Sequence, residues 1–367
     1  MKIVDVEAIP IKIPLKKPFT IAVGTITHTN HVLVRMTDDE GRVGWGESIT
    51  FHAVYGYDQK SLYHVLKDHL TAVIKSLDPR DVASLHEKMD MAIPYNLMAK
   101  TGIDIAAYDL AAQEAGVPLH CLIGGKRVGR IPQIGVVDIV PPAAAADSAV
   151  EQVARGFKTI KIKIGHDAVE DAERVKAVRK AVGDGVMLRV DANAGYDRAT
   201  AMRVFRLIEK FGLEWIEQPL PDWDLEGLAM LASKLDTPIA VDESMYTPYD
   251  ARRCITMGAA GVVNIKVAKC GGIYRSQKIA TVCAASAVPC FLGGCIETTV
   301  GTAAAAHFYA ATPNVISAAE IHGSPFYVDD VVEQPFTLED GCIEVPRSPG
   351  LGVIVNEEKV AKYRIDF

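Results

Sequence analysis

Five short apolar runs, each closed by a charged residue and repeated at nearly even intervals, constrain this chain more than any other feature. They are Thr159–Lys163, Val186–Asp191, Leu213–Glu217, Pro238–Asp242 and Gly261–Lys266. The closing positions 163, 191, 217, 242 and 266 are separated by 28, 26, 25 and 24 residues. Each interval holds one strand, a loop and one helix, the pattern of βαβ units and a parallel sheet. A long series of equal units predicts a (β/α) barrel of the TIM type, in which reactive groups gather at the C-terminal ends of the strands. Three carboxylates and three lysines from neighbouring strands then meet at one mouth.

The first run carries the most telling pair. Lys161 and Lys163 lie two apart in Thr-Ile-Lys-Ile-Lys-Ile-Gly. Residues i and i+2 of a strand share a face, so two ammonium groups crowd one side of an otherwise apolar element. That costs desolvation and repulsion, which a purely structural strand avoids.

The rest of the chain frames this region. Residues 1–125 read as an α+β capping domain. Lys2–Ile13 is a strand closed by Pro14, and His31–Met36 with Val43–Gly46 forms a hairpin around Thr37–Gly41. Lys16–Thr27, with Pro18, Phe19 and Gly24, reads as an apolar loop, and Phe51–Tyr57 as a second one containing Tyr55. Ser61–Leu77 and Ala99–Ala115 show helical spacing, the second ended by Gly116 and Pro118. Residues 126–321 form the barrel, with a first strand at Ile131–Ile139 and an eighth at Asn314–Ala319. The tail, 322–367, has no βα pattern and returns to the N-terminal domain.

Bulk properties exclude several classes of function. A net charge of −7 without a basic stripe argues against nucleic-acid binding. The segment Met1–Pro10 carries Asp5 and Glu7 and is no signal peptide, and no apolar run reaches membrane-spanning length. The seven cysteines are odd in number and contain no Cys-x-x-Cys, as expected of free thiols in a reducing cytosol.

Asp191, Glu217 and Asp242 make an oxygen-only donor set, which suits a hard cation such as Mg²⁺, or Mn²⁺, rather than zinc. One strand-end aspartate alone would read as a helix cap; three in consecutive units read as metal ligands. A dication and a second lysine lower the pKa of an ammonium group, so a lysine here is expected to be tuned towards neutrality as a general base. Lys-plus-Mg²⁺ sites of this type stabilise enediolates. In an eight-stranded barrel the strands ending in Lys163 and Lys266 face each other, flanking a substrate carbon from opposite sides. A Schiff-base lysine is the alternative barrel chemistry.

These motifs resemble the enolase superfamily, and within it the muconate lactonizing enzyme subgroup (mandelate racemase/muconate lactonizing enzyme family). The likeness rests on Lys161-Ile-Lys163, Asp191-Ala-Asn193, Glu217-Gln-Pro219, Asp242-Glu243-Ser244, Asn264-Ile-Lys266 and Gly293…Ile296-Glu297, with Gly44-Trp45-Gly46-Glu47 and Pro349-Gly350-Leu351-Gly352 outside the barrel. The resemblance implies a modified, enolase-like barrel under a capping domain, with Mg²⁺ on Asp191, Glu217 and Asp242. It implies Lys163 and Lys266 as the acid/base pair, Lys161 as enolate stabiliser, and Glu297 beside the substrate carboxylate. Phe19, Tyr55, Asn193, Ile296 and Glu320 are the implied substrate contacts. The expected activity is abstraction of a proton α to a carboxylate of a small substrate, first as a muconate-type cycloisomerase. N-acylamino acid racemisation, dipeptide epimerisation and o-succinylbenzoate synthase-like dehydration follow. The family forms homo-oligomers, dimers or octamers. Dipeptide epimerases of the subgroup carry Asp-x-Asp after the last strand to hold an ammonium group; this chain has Glu320-Ile-His322.

Overall fold

The computed structural model describes residues 1–21 and 24–367. The chain opens with an antiparallel meander of β1 (Ile3–Ile21), β2 (Gly24–Asp38) and β3 (Val43–Thr50). The segment 16–27, expected as a loop, extends the β1–β2 hairpin instead, with Phe19 opposite Ile26 and Thr20 opposite Thr25; its Ala22 and Val23 lie outside the described residues. Pro14 does not end β1 because β1 is an edge strand, where a missing N–H is tolerated, and a register shift between Pro14 and Phe19 absorbs Pro18. The nearly wholly buried helix Leu97–Glu114 packs across this sheet.

Two short strands follow, β4 (Arg130–Pro132) and β5 (Gly135–Val137). The expected single first barrel strand is thus divided: β4 pairs antiparallel with β12 (Cys342–Glu344) of the tail, and only β5 joins the barrel. The barrel continues through β6 (Thr159–Lys163), β7 (Met187–Asp191), β8 (Leu213–Glu217), β9 (Ile239–Val241), β10 (Val262–Ile265) and β11 (Cys290–Leu292). Among the described residues these seven form one parallel sheet in chain order. The eighth strand expected at Asn314–Ala319 is irregular. Its backbone still bonds both edges: Ile316 N–H donates to Cys290 O at 2.8 Å and Glu320 N–H to Leu292 O at 2.9 Å on the β11 side, and Ala319 O accepts from Ile134 N–H, just before β5, at 2.9 Å. The ring is therefore closed by hydrogen bonds without a regular ladder.

Period-two alternation sorts the strand residues into two environments. Ile160, Ile162, Leu188, Val190, Ile216, Ile239, Val241, Val263 and Ile265 enter the main core beneath the outer helices. The opposite face turns into the barrel, where Trp215, Ala240, Val262 and Phe291 make a small separate apolar cluster. Arg189 lies 3.7 Å over the Trp215 ring and is paired with Glu214 at 2.7 Å. One residue-pair further along, the same inward face carries lysines and carboxylates.

Asp109, on the helix Leu97–Glu114, ties distant segments together. It accepts from Trp45 N–H at 2.9 Å and Leu351 N–H at 2.7 Å. Burial pushes its carboxyl up to about 6 against the pull of those donors. The folded state therefore binds a proton more tightly than the unfolded chain. That contribution is complete below pH 3.8 and is lost as pH rises through about 6. Asp109→Asn sets an amide donor against one of the two N–H groups and is expected to cost about 1–3 kcal/mol. Urea unfolding at pH 4 and pH 7 is expected to show the larger loss at pH 4; equal losses would contradict the shift.

Candidate active site

The site stands where the inward faces of β6 to β10 reach their C-terminal ends. Lys161 and Lys163 share a face, as their spacing requires, and both are buried. Lys163 Nζ donates to Asp191 Oδ2 at 2.7 Å and Asn193 Oδ1 at 3.1 Å. Lys161 Nζ donates to Asp191 Oδ2 at 3.1 Å, Glu217 Oε2 at 3.4 Å and Glu320 Oε2 at 2.5 Å. Register explains the clustering: Lys163 lies opposite Asp191 and Asp191 opposite Glu217 on adjacent strands. Lys266 Nζ sits 2.7 Å from Asp242 Oδ2 and donates to the Tyr55 hydroxyl at 2.8 Å. Strands β6 and β10 stand four places apart in the closed ring, so their lysines approach from opposite sides.

Electrostatics follow from burial and from a surplus of acid. Among the described residues the carboxyl groups of Asp191, Glu217, Asp242, Glu243, Glu297 and Glu320 share this end of the barrel with four ammonium groups, Lys161, Lys163, Lys266 and Lys269. The acids outnumber the cations, so protons are retained on some of the carboxyls. Burial, with Asp191 beside it, pushes Glu217 up to about 8, and burial with Asp242 beside it pushes Glu243 up to about 7. Burial also raises Glu297. Burial opposes the charge on Lys161, but Glu217, Glu320 and Asp191 outweigh it, and its pKa stands well above the usual lysine range. Lys266 behaves the same way through Asp242. The expected tuning of a lysine towards neutrality is therefore absent from these two while the carboxylates face them.

The cavity above these groups is lined by Lys161, Lys163, Asn193, Lys266, Glu297 and Glu320 at the barrel end. Phe19, Phe51, Val54 and Tyr55 line it from the N-terminal domain, and Gly294, Cys295, Ile296 and Phe326 from the loops. Every residue expected as a substrate contact thus reaches one pocket. Besides Tyr55, which holds Lys266, two of them are also tied to protein groups. The Asn193 amide bridges Lys163 and Glu243, donating to Glu243 Oε1 at 3.0 Å. Glu320 is the nearest partner of Lys161. His322 lines the pocket, but its Nδ1 lies 3.1 Å from Gln133 Oε1, and burial drops its pKa to about 4, leaving it neutral.

The sequence reading left Lys269 unnamed and gave no role to Gln218 and Asn264, although both stand in its motifs. Lys269 donates to Asp242 Oδ1 at 2.6 Å and to its backbone carbonyl at 2.5 Å. Gln218 accepts from Asp242 N–H at 2.9 Å, and Asn264 donates to Glu217 Oε1 at 2.8 Å. Lys269, one helical turn beyond Lys266 in an apolar stretch, was the readable signal. Among the described residues no group of three His, Cys, Asp or Glu side chains stands ready to hold a metal ion, because the carboxylates turn to these lysines and amides.

Known proteins share this architecture. The chain matches the mandelate racemase/muconate lactonizing enzyme N-terminal domain over residues 3–124 and the enolase C-terminal domain-like family over residues 144–359. It is 32% identical over 366 residues to N-succinyl-L-Arg/Lys racemase of Bacillus cereus, spanning 100% of this chain and 98% of that protein. The crystal structure of that racemase superposes with a TM-score of 0.97 at 31% identity, covering 100% of this chain and 99% of that one. Dipeptide epimerase from Enterococcus faecalis, complexed with Mg and the dipeptide L-Leu-L-Tyr, gives 0.92 at 36% identity, covering 96% and 100%. The 2-chloromuconate cycloisomerase of Rhodococcus opacus gives 0.96 at 30% identity, covering 100% of both chains. Fold, pocket and relatives define an enzyme of the isomerase/lyase type. The chain belongs to the mandelate racemase/muconate lactonizing enzyme family of the enolase superfamily.

Proposed function

We propose that this enzyme removes the proton α to a carboxylate of a small substrate through an enolate, and that it racemises or epimerises an N-acylated α-amino acid. One observation carries the reading: Lys163 and Lys266 line the same cavity from strands on opposite sides of the ring. Transfer of a proton off one face and onto the other needs two such groups. The neutral His322 in place of a second acid argues against a free ammonium group on the substrate and for an acylated nitrogen.

Asp191, Glu217 and Asp242 would hold Mg²⁺. The fit rests on their donor set, three buried carboxyl side chains that offer only oxygen, as a hard dication prefers. When bound, the ion stabilises the second negative charge that builds on the substrate carboxylate. Lys163 takes the α-proton from one face and Lys266 delivers one to the other. Lys161 places a positive charge beside the developing enolate. Phe19, Phe51, Tyr55 and Phe326 exclude water from the enolate carbon.

Cycloisomerisation of a muconate-type diacid is the second reading. It is favoured by the same absence of an acid pair after the closing segment, since that substrate carries no nitrogen. Incubation in D₂O with Mg²⁺, followed by proton NMR, separates the two on N-succinylamino acids, L,L-dipeptides and cis,cis-muconate. The expected result is α-deuteration with inversion on an N-succinylamino acid, abolished by EDTA and restored by Mg²⁺. A deuterated lactone from muconate, with no exchange on the amino-acid derivatives, would establish the second reading. Turnover unaffected by EDTA would overturn both.

A further inference from the structure

The loop Gly293–Glu297 between β11 and the helix Thr299–Ala311 forms one wall of the pocket. Within it Ile296 has φ +59°. A β-branched residue in the left-handed region is strained and persists only where its surroundings impose it. The restraint lies in plain view. Tyr327, 1% exposed, donates its phenolic proton to the Ile296 carbonyl. Thr29 Oγ1 donates to the same phenol at 3.2 Å, and His31 Nε2 lies 2.9 Å from it. The phenol has one proton and gives it to Ile296, so His31 Nε2 is a donor and His31 Nδ1 an acceptor. Nδ1 faces Glu47 Oε1 at 3.0 Å. Burial drops His31 to about 3 and raises Glu47 to about 8, and His31 Nδ1 makes no hydrogen bond to Glu47 despite its proximity. Glu47 in turn accepts from Thr298 N–H at 3.0 Å and Gly301 N–H at 2.8 Å, fixing the start of the helix that follows the loop.

We propose that Tyr327 is a positioning residue for substrate: by pinning the Ile296 carbonyl it holds that residue left-handed and so sets the pocket wall formed by Ile296 and Glu297. The proposal rests on the pocket being the substrate site, as argued above. Its effect is on how substrate is seated, not on proton transfer by the lysines. Tyr327→Phe removes only the hydroxyl. A crystal structure of that variant is expected to show Ile296 relaxed to negative φ. The rise in KM for the N-succinylamino acid turned over fastest by the wild type is expected to be about tenfold, the equivalent of one lost hydrogen bond, with kcat changed far less. Glycine adopts positive φ without strain. On an Ile296→Gly background the same phenol deletion is therefore expected to change KM less than about twofold, since a restraint is then superfluous. Equal losses on both backgrounds, or an unchanged Ile296 backbone in Tyr327→Phe, would overturn the proposal. If Tyr327→Phe alone does not fold, the double variant is expected to fold, and its failure would reduce Tyr327 to a purely structural group. If the wild type turns over none of the panel, the functional reading fails, while the crystallographic comparison still decides the role of Tyr327.

Discussion

Lys163→Ala is expected to lose racemisation by at least about a thousandfold while keeping α-proton exchange on one enantiomer. Each lysine serves one face of the α-carbon. With Lys163 gone, Lys266 still removes the proton that points towards it and returns a solvent deuteron to the same face. One enantiomer then exchanges with retention and the other is inert. Lys266→Ala is expected to show the mirror result. Two controls separate chemistry from damage. Asp191 keeps Lys161 at 3.1 Å after Lys163 is removed, and Asp242 keeps Lys269 at 2.6 Å after Lys266 is removed. Neither buried carboxylate is left without a cation, so both variants are expected to fold, checked by thermal melting. The measurement is proton NMR in D₂O on each pure enantiomer. Racemisation persisting in either variant would sink the two-lysine assignment. Exchange lost for both enantiomers in both variants would mean that the lysines act as one unit rather than as separate acids and bases.

Gly46→Ala is expected to be the most damaging small substitution outside the site, at about 3 kcal/mol or more. A Cβ at Gly46 would lie 1.9 Å from Gly102 O, and one at Gly44 would lie 2.5 Å from Ala106 O. These are backbone atoms of the buried helix Leu97–Glu114 and cannot step aside as a side-chain tip could. Either the helix lifts from β3 or β3 bends. Both movements disturb Glu47, the next residue, and the helix start it caps at Thr298 and Gly301. Stability and activity are therefore expected to fall together. Urea unfolding provides the measurement, with Gly185→Ala as reference, because a Cβ there meets nothing within 4 Å. A change in Gly46→Ala no larger than in the reference would contradict the close approach.

Much of the site was readable before any coordinates. Even spacing of charged run ends implies repeated βα units, and the C-terminal ends of parallel strands necessarily share one mouth. Period two then put Lys161 and Lys163 on one face, and adjacency put Asp191 beside Glu217. The fold class followed from the same periodicity, because a pattern of apolar residues is a local property that each segment carries with it. The regular eighth strand and the undivided first strand were not recoverable in this way. The segment 314–320 and β4 take their conformations from hydrogen bonds to partners far off in the chain.

What the sequence by itself determined is which reactive groups gather at the barrel mouth. What only the tertiary structure decided is what each of them touches. Lys266 meets Tyr55 across 211 positions of sequence, Lys269 rather than solvent takes Asp242, and Asn193 spans Lys163 and Glu243. Ile296 owes its left-handed backbone to a phenol 31 residues away. Side-chain partners are chosen by three-dimensional proximity in a low-dielectric interior, where a buried charge or donor without a counterpart costs free energy. That choice depends on the whole packed chain, and no local pattern encodes it.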